Sequence, residues 1–128
     1  GQEEEQLAQY LDSFDSMAVL AMDNNLGRRW IDMISRHFQQ RMAAGHVYDP
    51  EKVNIETAIE DIRSRKPEAL VLISAANAGI IAEKVRQAGI DAPMVGTRPV
   101  QRPALLEKSE CRDLLGTLGP TRRSLVAL

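Results

Sequence analysis

The 128 residues carry 16 basic and 18 acidic side chains, a net charge of −2 spread along the chain, and 44% hydrophobic residues. That is enough apolar material for one buried core, and it leaves no basic stripe to neutralise a phosphate backbone, so nucleic acid is excluded as a partner. A single cysteine, Cys111, rules out an intramolecular disulfide and a cysteine-based zinc site, and the longest apolar run, Met17–Met22, falls far short of the roughly 20 residues that span a bilayer.

From Glu3 to Phe14, Leu7, Tyr10, Leu11 and Phe14 fall at i, i+3, i+4 and i+7, with acids massed in the first turn. That pattern predicts an amphipathic helix. Met17–Met22 is apolar without alternation, as a strand covered by helices on both faces would be. The polar turn Asp23-Asn-Asn-Leu-Gly27 follows it. Trp30, Ile31, Ile34, Phe38 and Met42 continue at helical spacing, predicting a second helix over 28–44 closed by Gly45 as a left-handed cap.

His46–Tyr48 reads as a short strand ended by Asp49-Pro50. Asn54 is placed to cap a third helix whose face is Ile55, Ile59 and Ile62, and Lys66-Pro67 closes that helix. Ala69–Ile73 is a second buried strand, 79–88 a helix stopped by Gly89, and Met94–Gly96 a third, short strand. Beyond Arg98 the prolines and glycines break the pattern, and 107–128 carries no clear assignment. A short helix at 103–109 fits, and 121–128 fits either a helix or an edge strand.

Strands alternating with helices predict right-handed βαβ crossovers, hence a three-layer α/β domain of Rossmann-like type with a mostly parallel sheet of at least four strands. In such a sheet ligands bind outside the carboxyl ends of the strands. Three loops qualify. The first brings Asn24, Asn25 and Leu26, the second Ser74, Ala75 and Asn77, and the third Thr97 and Arg98, whose planar guanidinium suits a carboxylate. Asp and Asn are equally ordinary turn and cap residues, and an exposed arginine needs no ligand. His37 and His46 read as surface or packing residues rather than bases. No nucleophile–base pair, metal-ligand spacing or glycine-rich phosphate loop is apparent, so no catalytic residue, metal or cofactor is expected.

Taken in order, Met17–Gly27, the helix ending at Arg65, Lys66-Pro-Glu-Ala-Leu-Val-Leu-Ile73, Arg86-Gln-Ala-Gly-Ile-Asp-Ala-Pro-Met-Val-Gly96 and Leu105-Leu106 resemble the second lobe of type I periplasmic solute-binding proteins of the leucine/isoleucine/valine-binding branch. The resemblance covers Gln6 to Leu106. It implies one lobe excised from a two-lobed, periplasmic or extracellular protein that closes on a small ligand, serves the membrane permease of an ABC transporter and catalyses nothing. A ligand-sensing input domain of a signalling receptor is the alternative. Amino-acid binders of that branch bring an aromatic residue from the first loop and an acid from the third, where this chain has Leu26 and Arg98. Arginine in place of an acid repels an ammonium group and attracts a carboxylate, which implies an organic acid as ligand, with an amino-acid-like molecule as the alternative. An isolated lobe also exposes the face that meets its partner lobe, so self-association of the chain is expected.

Overall fold

The computed structural model describes residues 2–74, 77–96 and the backbone of 125–127. The order is α1 (Gln2–Leu11), β1 (Met17–Met22), α2 (Asn25–Phe38), a 3-10 turn (Gln39–Arg41), β2 (Met42–Tyr48), α3 (Glu56–Arg65), β3 (Ala69–Ile73), α4 (Ala78–Gln87), β4 (Met94–Gly96) and β5 (Leu125–Ala127). The five strands form one sheet in the order β2-β1-β3-β4-β5, and every neighbouring pair is parallel. The 121–128 segment thus supplies the edge strand of its two alternatives, whereas the helix expected at 103–109 lies outside the described residues.

The pleat sorts each buried strand between two cores. Ala18, Leu20 and Met22 of β1 and Leu70 and Leu72 of β3 pack with Ile59 and Ile62 of α3 and Ile81 and Val85 of α4. The alternate residues Met17, Val19, Ala21, Val71 and Ile73 pack with Leu7 and Leu11 of α1 and Ile34 and Phe38 of α2. Helices therefore cover both faces, which is why β1 and β3 are apolar at every position.

Several boundaries differ from the sequence expectation. The second helix begins three residues earlier, at Asn25, and stops at Phe38, so Met42 and Gly45 belong to β2 and Gly45 caps nothing. The reason is length. Six residues of β1 rise about 20 Å and 14 residues of α2 return about 21 Å, so the chain must turn at Gln39 to start a parallel strand at the sheet's base. Gln39 makes that turn at φ 52°. The third helix starts at Glu56, with Ile55 rather than Asn54 at the cap position and no side-chain cap. Ile55 is fully buried, so core packing fixes the entry that a polar cap would otherwise set.

Helix α1 ends at Leu11 instead of Phe14, and it has no basic residue in its last turn. Arg41 compensates from the 3-10 turn. Its guanidinium donates to the carbonyls of Leu11 (3.4 Å), Asp12 (3.0 Å) and Phe14, and stacks over the Phe38 ring at 5.0 Å. One cation so closes the negative end of a helix some 30 residues earlier in the chain.

Candidate functional site

The chain leaves β1 toward β2 on one side and β3 toward β4 on the other, so the helices that follow β1 and β3 start on opposite faces of the sheet. Between the carboxyl ends of these adjacent strands lies the topological switch point of the sheet, where open α/β folds form their ligand crevice. The Asp23–Gly27 turn follows β1 there, and Ser74 and Asn77 stand between β3 and α4. Ala75, Thr97 and Arg98 lie outside the described residues.

On the first wall Asn24 stands in extended backbone and its Oδ1 accepts the Gly27 N–H at 2.8 Å, which makes it the N-cap of α2. Its Nδ2 has only a weak contact with the Met22 sulfur at 3.7 Å and keeps donor capacity. Asp23 receives Arg28 through Nε (2.7 Å) and Nη2 (2.6 Å), and its own N–H reaches the Tyr48 carbonyl at 2.7 Å. Gly27 is required by close approach. A Cβ there would stand 1.9 Å from the Met22 carbonyl oxygen. Leu26, half exposed, stands beside it, whereas Asn25 faces away from the crevice, into a groove outside β2.

On the second wall Ser74 is wholly buried, and its Oγ lies 2.6 Å from the Tyr48 hydroxyl. Burial raises the Tyr48 phenol above its ordinary pKa, with the Ser74 hydrogen bond pulling the other way, so the pair is neutral. Asn77 stands at the cap position of α4 but does not cap it. Its Nδ2 donates to the Pro50 carbonyl instead, which leaves Oδ1 as an acceptor. These two bonds tie the end of β2 and Pro50 after it to Ser74 and Asn77. Sequence reading missed Tyr48, although the rule that picked the other loops applies equally to a residue closing β2.

Neither histidine enters the crevice. His37 is exposed with its ring edge against Phe38 at 4.6 Å. His46 Nε2 lies 2.7 Å from Asp61 Oδ2, and Arg65 Nε binds the other oxygen at 2.9 Å. Arg65 first and His46 second hold the Asp61 carboxyl below the usual range. Among the described residues no cluster of three or more His, Cys, Asp or Glu is placed to hold a metal, and no helix is long and apolar enough to cross a membrane.

A groove of about 950 Å³ runs along the outer edge of β2, away from the switch point. It is walled by Asn25, Arg28, Arg29 and Asp32 of α2 and floored by Gly45 and Val47.

No family model matches the chain, and no curated protein matches it. Among solved structures, an extracellular ligand binding receptor from Desulfohalobium retbaense is 49% identical and superimposes with a TM-score of 0.80 over 84% of this chain. This is the fold of one lobe of a type I periplasmic binding protein. The lobe also superimposes on a solute binding protein of an ABC transporter from R. palustris in complex with benzoate (TM-score 0.69, 12% identity, 80% of this chain). A branched-chain amino acid transporter substrate binding protein from Streptococcus pneumoniae in complex with isoleucine gives 0.68, 16% and 83%. At those identities the last two speak for the fold alone. The lobe spans 21% of the Desulfohalobium receptor and 30% and 32% of the other two, so each is several times longer.

Proposed function

We propose that the chain is one ligand-reading lobe of a periplasmic or extracellular solute-binding receptor, which holds a small organic ligand against a second lobe outside this chain and turns nothing over. The observation that supports this reading is the 49% identity of the lobe to part of an extracellular ligand binding receptor, with Asn24 and Asn77 following the carboxyl ends of the adjacent strands β1 and β3. In this proposal Asn24 donates through Nδ2, Asn77 accepts through Oδ1, Leu26 lies against an apolar part of the ligand, and Ala75, Thr97 and Arg98 complete the contacts. Ser74 shapes the floor, since its hydroxyl is turned inward to Tyr48.

The proposed ligand class rests on Arg98, the residue that the family resemblance aligns with the acid of ammonium-binding sites, since an arginine there would favour a carboxylate. A carboxylate such as benzoate, rather than a zwitterionic amino acid, is the favoured probe. In this proposal the whole receptor delivers its ligand to the permease of an ABC transporter.

A ligand-sensing receptor is the second reading, and it rests on the 49% identity to an extracellular ligand binding receptor. Calorimetry of the full two-lobed protein with benzoate and with isoleucine tests the ligand class. Benzoate binding abolished by Arg98→Glu supports it, whereas tight isoleucine binding with no affinity for benzoate sinks it.

A further inference from the structure

The outer edge of β2 is bare on the α2 side. Natural edge strands are blunted by lysine, proline or inward-pointing charge, and Met42–Tyr48 has none of these in its sequence Met-Ala-Ala-Gly-His-Val-Tyr. Its base is guarded by a register shift opposite Met17 and Ala18 and by Arg65, which donates to the Ala43 carbonyl at 3.2 Å. The α3 side is occupied by the His46–Asp61–Arg65 cluster. On the α2 side the groove stays open, and Val47 at its floor is one of the few large apolar residues left well exposed.

The charges along that groove are self-complementary. Arg28 is paired with Asp23 and Arg36 with Asp32, but Arg29 has no ion-pair partner among the described residues. The Ile31 side chain lies 3.2 Å from where a Gly45 Cβ would stand, so the middle of α2 sits beside the middle of β2. A two-fold axis through Gly45 and normal to the sheet would pair β2 with a second β2 in antiparallel register, set the two α2 helices side by side in opposite directions, and place Arg29 of each copy opposite Asp32 of the other. Gly45 meeting Gly45 costs no side-chain room, and Val47 would be covered by the other copy's Ala43. A slip of two residues toward the top of the strand, the smallest that keeps the two pleats matched, would crowd Arg28 and Arg29 of one copy against those of the other, so the charges select the register.

We infer that this edge is a self-association surface, where two copies of the chain join their sheets through β2 in an isologous contact. It is separate from the crevice and does not depend on the ligand reading. Sedimentation velocity of the 128-residue chain over a concentration series tests it. A dimer is expected that Val47→Lys reduces to monomer, that Arg29→Asp weakens at least tenfold, and that the charge-swapped Arg29→Asp/Asp32→Arg double variant restores. Leu26→Asp, on the crevice side, should leave the dimer intact. If Val47→Lys fails to fold, as judged by far-UV circular dichroism, the charge-swap set decides alone. The inference is overturned by a monomeric wild-type chain at millimolar concentration, by a dimer indifferent to Arg29→Asp, by failure of the charge swap to restore it, or by loss of the dimer in Leu26→Asp.

Discussion

Replacing Gly27 by alanine tests whether the crevice is set by the packing of α2 against the end of β1. In an exposed helix the change would stabilise by about 1 kcal/mol through propensity. Here the new methyl carbon stands 1.9 Å from the Met22 oxygen, 2.8 Å from its carbonyl carbon and 3.0 Å from its nitrogen. All three are backbone atoms, and the same oxygen already accepts the Asn24 N–H at 3.0 Å, so no side chain can swing aside. The first turn of α2 has to lift by more than 1 Å, which strains the Asn24 cap. Overpacking of about 3 kcal/mol and a weakened cap of about 1 kcal/mol outweigh the propensity gain, for a net loss of about 3 kcal/mol. With a urea slope of about 2 kcal/mol/M, the denaturation midpoint followed by Trp30 fluorescence should fall by about 1.5 M at unchanged slope. A midpoint unchanged or raised would refute the close-approach account and leave Gly27 as an ordinary helix residue.

Tyr48→Phe should destabilise the chain by about 1–3 kcal/mol because it strands the buried Ser74 hydroxyl; adding Ser74→Ala should recover much of that loss, and urea titrations of the two single variants and the double variant measure the coupling. Arg41→Ala should cost about 2 kcal/mol, since charged hydrogen bonds to carbonyls at the end of α1 disappear, and hydrogen exchange should show α1 opening first. For Asp61 the folded-state pKa is depressed by Arg65 and His46. Its contribution is therefore fully present above the ordinary carboxylate value near 3.8 and is lost as pH falls through the lower folded value. Asp61→Asn should flatten the acid limb of the stability profile below about pH 4, and an identical limb in both proteins would count against the cluster.

What the sequence disclosed and what it hid divide along a physical line. Met17–Met22 and Ala69–Ile73 were legible to the residue because a strand buried on both faces tolerates no polar side chain anywhere, so composition alone marks its ends. The boundary between α2 and β2 was not, because Ile34, Phe38 and Met42 keep helical spacing even though Met42 is already strand. All three reach the same core, and periodicity reports which face is buried rather than where the backbone turns. Asn54 failed as a cap for a similar reason, since the buried Ile55 outweighs a local hydrogen bond. The candidate site was half legible. Strand ends named the Asp23–Gly27 and Ser74–Asn77 loops, but the partners that fix them, Tyr48 to Ser74 and Asn77 to Pro50, lie some 26 or 27 residues apart in the chain.

Those same long-range bonds decide how rigid the crevice is. The Asn24 wall is held by a local cap and by the Asp23 N–H to the Tyr48 carbonyl, and the Ser74 wall by the hydroxyl of that same tyrosine. Tyr48 thus touches both sides of the switch point, through its backbone on one and its side chain on the other. Because it closes β2, Tyr48 links that strand to both walls by hydrogen bonds. A ligand that orders the crevice and a contact that orders the β2 edge would then act on one residue, and coupling between them would have Tyr48 as its physical path.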